Sequence, residues 1–249
     1  MSTQIYKHNQ KFLIDNRCEQ INWWIESFSK WEEETFIIFE KLLSKDKMFI
    51  DLGAWGGTTS LYACLLSKHV YAFEPDPNSL NDFYKNITIN GFENITVIPK
   101  PIYHEITNIC FGPYQDKGWN TSSSSIKIQP NNKLDTTMET ITFNQFLDTY
   151  KVDNISLIKI DIEGGEEYII PDIFNYVSTL GEKPPIYLSF HLDWWNDKNI
   201  NRFSKYWELY KFTYYELKLI DCDRISETIR FSPFGSILFT DHELSFVDK

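Results

Sequence analysis

Phe49-Ile50-Asp51-Leu52-Gly53-Ala54-Trp55-Gly56-Gly57 runs an apolar strand through an acid into glycines, and Thr58 to Lys68 continues as a helix. A strand, a glycine turn and a helix in that order form the ligand-binding entrance of an open α/β sheet. Gly53 has no Cβ to hold a ligand off the backbone. The helix after Gly57 presents unpaired N–H groups at its positive end. A dinucleotide would rest its pyrophosphate there, usually through G-x-G-x-x-G. The spacing here is Gly53-x-x-Gly56-Gly57, and Asp51 stands directly before the glycines. That acid suits S-adenosylmethionine, whose amino-acid part carries an ammonium and whose sulfur is a cation. Glu74, at the end of the next strand, can accept from both ribose hydroxyls of either cofactor.

Outward from the turn, strands and helices alternate. Val70 to Phe73 reads as a second buried strand. Asp76 caps a helix that starts at Pro77 and stops at Gly91, since Pro suits the first helical position. Ile95 to Ile98 is a third strand. After an irregular stretch, a helix is expected at 143–151 and a strand from Leu157 to Asp161. A helix near 166–176 and a strand from Ile186 to Phe190 follow. Strands that are apolar throughout and alternate with helices predict a parallel sheet covered on both faces. Tyr214 to Ile220 and Ser236 to Thr240 alternate in polarity and are expected to pair as an antiparallel edge. Residues 103–140 hold Gly112-Pro113, Gly118 and Ser122 to Ser125, so loops and short antiparallel strands are expected there. Upstream, residues 1–18 are polar with no clear period, while Glu19 to Leu43 repeats apolar residues at helical spacing. Residues 1–46 are therefore expected to be a helical extension packed on a core domain of residues 47–249.

Composition narrows the partners. The chain has 249 residues, 42% hydrophobic and 24% charged, enough for one sizeable core. Aromatics reach 16%, so some must line a cleft. A formal charge of -11 with scattered lysines and arginines disfavours a nucleic-acid partner. None of the 4 cysteines is in C-x-x-C spacing, so neither a zinc ribbon nor a redox pair is expected. The first ten residues have no apolar signal core, and no apolar run approaches membrane length. A cytoplasmic protein without a membrane partner is the expectation.

Several pieces together resemble the FkbM-type methyltransferases. They are Asp51 to Ser60, Ala72-Phe73-Glu74-Pro75-Asp76-Pro77, Asn86 and Asn90, and Met138 to Leu147. The most specific is Ile158-Lys159-Ile160-Asp161-Ile162-Glu163-Gly164-Gly165-Glu166. The likeness spans about residues 48–192. It implies a class I, Rossmann-like methyltransferase fold: seven strands, mostly parallel, with an antiparallel C-terminal strand and helices on both faces. It implies S-adenosylmethionine at Asp51, Gly53, Ala54, Gly57, Ser60, Glu74, Pro75 and Asp161, and O-methylation of sugars or related metabolites. Trp55 departs from the family's common Asn, so contacts to the cofactor's amino-acid part are expected to be rearranged. His191, in Ser-Phe-His-Leu-Asp, departs from a common Glu-before-His pattern.

Asp161 and Glu163 lie two apart at a strand end and can point to one side. His191 follows the neighbouring strand, so these three are expected to share a catalytic mouth. An alcohol is a weak acid, which makes a His base, or Mg²⁺ held by Asp161, Glu163 and His191, chemically sensible. Glu166 and Glu167 read more simply as acids favouring a helix N-terminus. Trp119, Trp194 and Trp195 are candidate stacking walls for a sugar ring, with the insertion at 103–140 as a binding loop. The expectation is thus an O-methyltransferase for a sugar, glycan or other small hydroxylated acceptor. An NAD-dependent oxidoreductase and a non-catalytic binding protein on the same fold are the alternatives.

Overall fold

The computed structural model describes residues 1–113, 124–127 and 133–246. The chain opens with a hairpin, β1 (Ser2–Lys7) and β2 (Gln10–Asp15), paired antiparallel. This differs from the expected helical start. Its inward positions include Lys7 and Asp15 beside Ile5, Phe12 and Ile14, so the strand alternation is disguised by buried charges. Helices α1 (Ile21–Glu26) and α2 (Glu33–Leu42) follow.

The core then alternates as expected: β3 (Met48–Leu52), α3 (Thr58–Cys64), β4 (His69–Phe73), α4 (Pro77–Asn90) and β5 (Ile95–Ile98). The Asp76 carboxylate accepts from the N–H groups of Asn78 and Ser79 at 2.9 and 3.0 Å, Pro77 takes the first position, and Gly91 closes α4 at φ 64°. The insertion supplies β6 (Asn108–Pro113), β7 (Ser124–Lys127) and β8 (Thr136–Glu139), an antiparallel sheet ordered β7-β6-β8. Next come α5 (Phe143–Tyr150), β9 (Ile155–Ile160), α6 (Glu166–Ser178) and β10 (Ile186–Ser189). The tail adds α7 (Ser204–Trp207), β11 (Phe212–Tyr215), β12 (Lys218–Ile220), α8 (Ile225–Phe231) and β13 (Ser236–Thr240).

The main sheet runs β12-β11-β13-β10-β9-β3-β4-β5. The five strands from β10 to β5 are parallel, and β13 enters antiparallel between β10 and β11. The class is the expected one, with one strand more than seven. Tyr214 to Ile220 does not run straight: Glu216 and Leu217 both take positive φ, and the chain folds back as β12.

Strand alternation divides the core. Ile50, Leu52, Phe73, Ile158 and Ile160 face α5 and α6 through Phe143, Phe146, Ile173 and Phe174. Phe49, Val70, Ala72 and Leu157 face the other way, onto Phe36, Phe39, Leu61 and Phe83. The N-terminal hairpin is stitched to α4: the Leu13 N–H donates to Asn90 Oδ1 at 2.7 Å, and the Asp15 N–H to Asn86 Oδ1 at 3.0 Å. Asn86 and Asn90 thus satisfy a strand edge that would otherwise be open. Among the described residues no helix is long and apolar enough to cross a membrane.

Candidate functional site

A cleft lies over the carboxyl ends of β3, β4 and β9, where ligands collect in such sheets. It encloses about 760 Å³, open solvent included. Gly53, Glu74, Pro75 and Asp161 line it, as expected. Asp51, Ala54, Gly57 and Ser60 do not; they lie under its floor, nearly or fully buried. Asp51 is fully buried, and its Oδ2 accepts from the hydroxyls of Thr59 and Ser60, each at 2.6 Å. Through Oδ2 it anchors the first turn of α3, while its buried Oδ1 has no hydrogen-bond partner. The glycine at 53 also has a different reason from the expected one. Its φ is +93°, and a Cβ there would sit 1.8 Å from the Asp161 carbonyl oxygen. The approach to the chain just past β9 by itself requires glycine here.

Glu74 is nearly buried, and each carboxylate oxygen already accepts one backbone N–H, from Trp55 and from Asp76, both at 2.7 Å. A carboxylate oxygen has two acceptor sites, so one per oxygen remains for a ribose hydroxyl. Burial pushes Glu74 up to about 8, with the charge of Asp76 adding to it and the two N–H bonds opposing. Trp55 takes a left-handed φ of 49° and lines the cleft; its ring meets Trp23 edge-on at 4.9 Å. Phe73, Ile102, Phe111 and Ile126 give the cleft an apolar side. Two of these come from the insertion, which therefore flanks this cleft. Trp119 lies outside the described residues.

Asp161, Glu163 and His191 do converge: ligand atoms of all three lie within 4.8 Å of one another. His191 Nε2 is 3.5 Å from both Asp161 Oδ1 and Glu163 Oε2, and its Nδ1 is 2.8 Å from Glu166 Oε1. Glu166 is fully buried. It also accepts from Trp195 Nε1 at 2.9 Å and from the Ile162 and Gly164 N–H groups at 3.1 and 3.0 Å. The residue read as a helix-dipole acid is in fact the hub that orients His191. Trp195, 3% exposed, supports Glu166 from the core and offers no wall to an acceptor. Trp194 is half-buried and stacks on His191 at 5.4 Å, with exposed Phe234 edge-on to both at 5.9 Å. Glu167 pairs with Arg202 at 2.7 Å, away from the histidine.

The electrostatics assign the protons. Burial alone would lower His191, but Glu166, then Asp161 and Glu163, raise it to about 10, so it stands as an imidazolium at neutral pH. Burial raises Glu163 to about 8 even though His191 pulls against it. Asp161 stays below the usual range because Lys159 and His191 outweigh burial. Lys159 is 2% exposed, with Nζ 3.0 Å from Asp161 Oδ2 and 3.5 Å from Asp51 Oδ1. Burial disfavours its charge, yet Asp161, Asp51 and Glu32 hold it on. Neither Lys159 nor Glu32 was evident as a site residue from spacing. Lys159 follows strand parity, opposite Asp51 in the ladder; Glu32 gives no local signal.

The methyltransferase FkbM domain matches residues 51–181 of the chain. A curated protein, "Uncharacterized protein MJ1452" of Methanocaldococcus jannaschii, is 37% identical over 59 residues, 24% of this chain and 23% of that protein. This chain thus aligns with less than a quarter of that relative's length. Among solved structures, methyltransferase FkbM from Methylobacillus flagellatus aligns with 17% identity and a TM-score of 0.48, covering 79% of this chain and 44% of that one. An rRNA methylase from Streptococcus thermophilus aligns with 14% identity and a TM-score of 0.46, covering 82% and 91%.

Proposed function

The chain belongs to the FkbM methyltransferase domain family, and on that premise we propose that it moves the methyl group of S-adenosylmethionine onto a hydroxyl of a sugar or similar small acceptor, with Glu163 as base. The observation that carries this reading is the position of Glu163. It lines the cleft, takes a left-handed φ of 55°, and has its carboxyl raised to about 8 beside an imidazolium. A base whose pKa lies near the working pH is the efficient one. His191 was the expected base; Glu166 holds its proton too firmly for that task, and its charge instead steadies the ionised Glu163 and Asp161.

Glu74 would take the ribose, the apolar side near Phe73 and Ile102 the adenine, and the floor at Gly53 the amino-acid part. Bound there, S-adenosylmethionine would supply the methyl group as an electrophile on its sulfonium, and the Glu163 carboxylate would accept the proton that the acceptor hydroxyl gives up. Alignment supplies up to about 7–11 kcal/mol, and the base about 10²–10⁴-fold in rate. Trp194, stacked on His191, offers a flat face at the acceptor side, which suits the C–H face of a pyranose. Membership in a methyltransferase family speaks against the dinucleotide reading, and the ordered base–imidazolium pair speaks against a purely binding role.

A divalent metal on Asp161, Glu163 and His191 is a second reading, favoured by the convergence of their ligand atoms. The Glu166 bond to Nδ1 would leave Nε2 as the ligand atom. Against it, Lys159 and the imidazolium already neutralise these carboxylates. The test is calorimetry with S-adenosylhomocysteine and with NAD, followed by transfer of labelled methyl to sugars, nucleotide sugars and glycans beside RNA, DNA and protein. Binding of NAD alone, or label only in nucleic acid or protein, refutes the reading. Loss of transfer after chelation, restored by Mg²⁺, moves it to the metal form.

A further inference from the structure

The segment ahead of the matched domain reaches into the cleft: Trp31 is one of its walls. The next residue, Glu32, stands at φ 44°, ψ 53°, a left-handed conformation that side chains other than glycine adopt at a cost. A strained residue held by its surroundings points to a use for the strain. The holding here is substantial. Lys7 of β1, 1% exposed, donates to the carbonyls of Trp31 at 2.7 Å, Ser29 at 3.2 Å and Phe28 at 3.4 Å, and also pairs with Glu33. A lysine buried to pin three carbonyls fixes the turn from Phe28 to Glu33.

Of the three acids in Glu32-Glu33-Glu34, two have partners on the N-terminal segment or the sheet. Glu33 pairs with Lys7 and His8, and Glu34 Oε1 accepts from the Tyr187 hydroxyl at 3.0 Å. Glu32 accepts from the Thr35 hydroxyl at 3.0 Å, and the charges acting on it are Asp161 and Lys159 of the cleft, then its neighbour Glu34. It is exposed, so a ligand can reach it. Asp161 and Asp51 stand 3.0 and 3.5 Å from the Lys159 ammonium, and the charge of Glu32 reaches it from farther off. Lys159 pairs with Asp161 and Asp51, and His191 with Asp161 and Glu163, which leaves Glu32 as the acid of this group with no ion pair among the described residues.

We propose that Glu32 receives the ammonium of the cofactor's amino-acid part, so that the N-terminal segment completes the cofactor site. This rests on reading the cleft as a site for S-adenosylmethionine. It assigns to Glu32 a task that the sequence suggested for Asp51, which is fully buried.

The experiment titrates the full chain and its Glu32→Gln variant with two ligands. S-adenosylhomocysteine carries the amino-acid part; 5′-methylthioadenosine has the same nucleoside and sulfur without it. The variant is expected to bind S-adenosylhomocysteine about 10- to 100-fold more weakly, the size of one charge-assisted hydrogen bond. Its affinity for methylthioadenosine should match that of the unaltered chain, which also shows that the cleft is intact. Equal weakening for both ligands, or none for either, overturns the proposal. If the unaltered chain binds neither ligand, the cofactor reading itself fails and takes the proposal with it. If it binds both and only the selectivity is missing, the cofactor reading stands and Glu32 is excused.

Discussion

At the scale of single residues, His191 and the three acids around it divide one task. Glu166 orients the ring, His191 carries a fixed positive charge, Asp161 remains ionised, and Glu163 is left to gain and lose a proton. Replacing Glu163 by Gln should keep S-adenosylhomocysteine binding within about twofold and lower turnover about 10²–10⁴-fold. The pH dependence follows from the direction of its shift. A base works only when ionised, so turnover should climb with pH through about 8, where Glu163 is half ionised, and level above it. Carbon-13 shifts of labelled glutamate carboxyls would follow this proton without any acceptor. A Glu163 that titrates near the ordinary 4.5 removes it as the tuned base.

Among the elements, β3 and its turn depend on contact with β9. Gly53→Ala forces a Cβ into the Asp161 carbonyl and keeps a φ of +93° that alanine disfavours. A loss of at least about 2–3 kcal/mol is expected, combining backbone strain with the clash, read from urea unfolding midpoints at constant slope. The hairpin makes a second case. Lys7→Met should strand carbonyls of the 28–31 turn, costing about 1–3 kcal/mol, with faster amide exchange across residues 28–33 than in β3. Slow exchange there would show that the turn does not need Lys7.

What was legible in the chain follows the range of the interactions. Helix α4 could be read residue by residue, because Asp76, Pro77 and Gly91 act on their own neighbours. The mouth was legible because Asp161 and Glu163 lie two apart just past the end of β9, where a turn with Glu163 at φ 55° brings them together, and sheet order brought His191 alongside. The hairpin was not, since Lys7 and Asp15 occupy inward positions where an apolar pattern was sought. Glu166 was underrated because its partners, Trp195 and His191, lie far along the chain. Glu32 left no trace in its own neighbourhood, as its setting is made by β9.

For the whole molecule, the carboxyls of the cleft and His191 set the response to pH. Glu32, Glu74 and Glu163 are raised from 4.5 to about 7, 8 and 8, and His191 from 6.5 to about 10. Each raised group makes the folded chain hold more protons than the unfolded one, so stability falls as pH climbs through these windows. For His191 the contribution is complete below pH 6.5 and gone above about 10. Asp15 and Asp161 are shifted the opposite way and cost stability only as pH drops below their ordinary 3.8. The net charge of -11 adds self-repulsion in the alkaline direction. Tm should therefore peak around pH 5 and decline towards pH 9–10, and His191→Gln should flatten the decline above 6.5. Thermal melts across that range decide it; a Tm that rises from pH 5 to 9 refutes the account.

The place of β13 bears on how the chain is made. Its partners β10 and β11 are both synthesised earlier, and β13 slots between them as the last strand of the sheet. Until Ser236–Thr240 has left the ribosome, β10 presents an unpaired edge and β11 has only β12 beside it. Such an edge invites pairing with another nascent chain. Translation halted short of Ser236 would thus release a sheet open in its middle, and a holdase that shields the β10 edge would serve this chain until β13 is made.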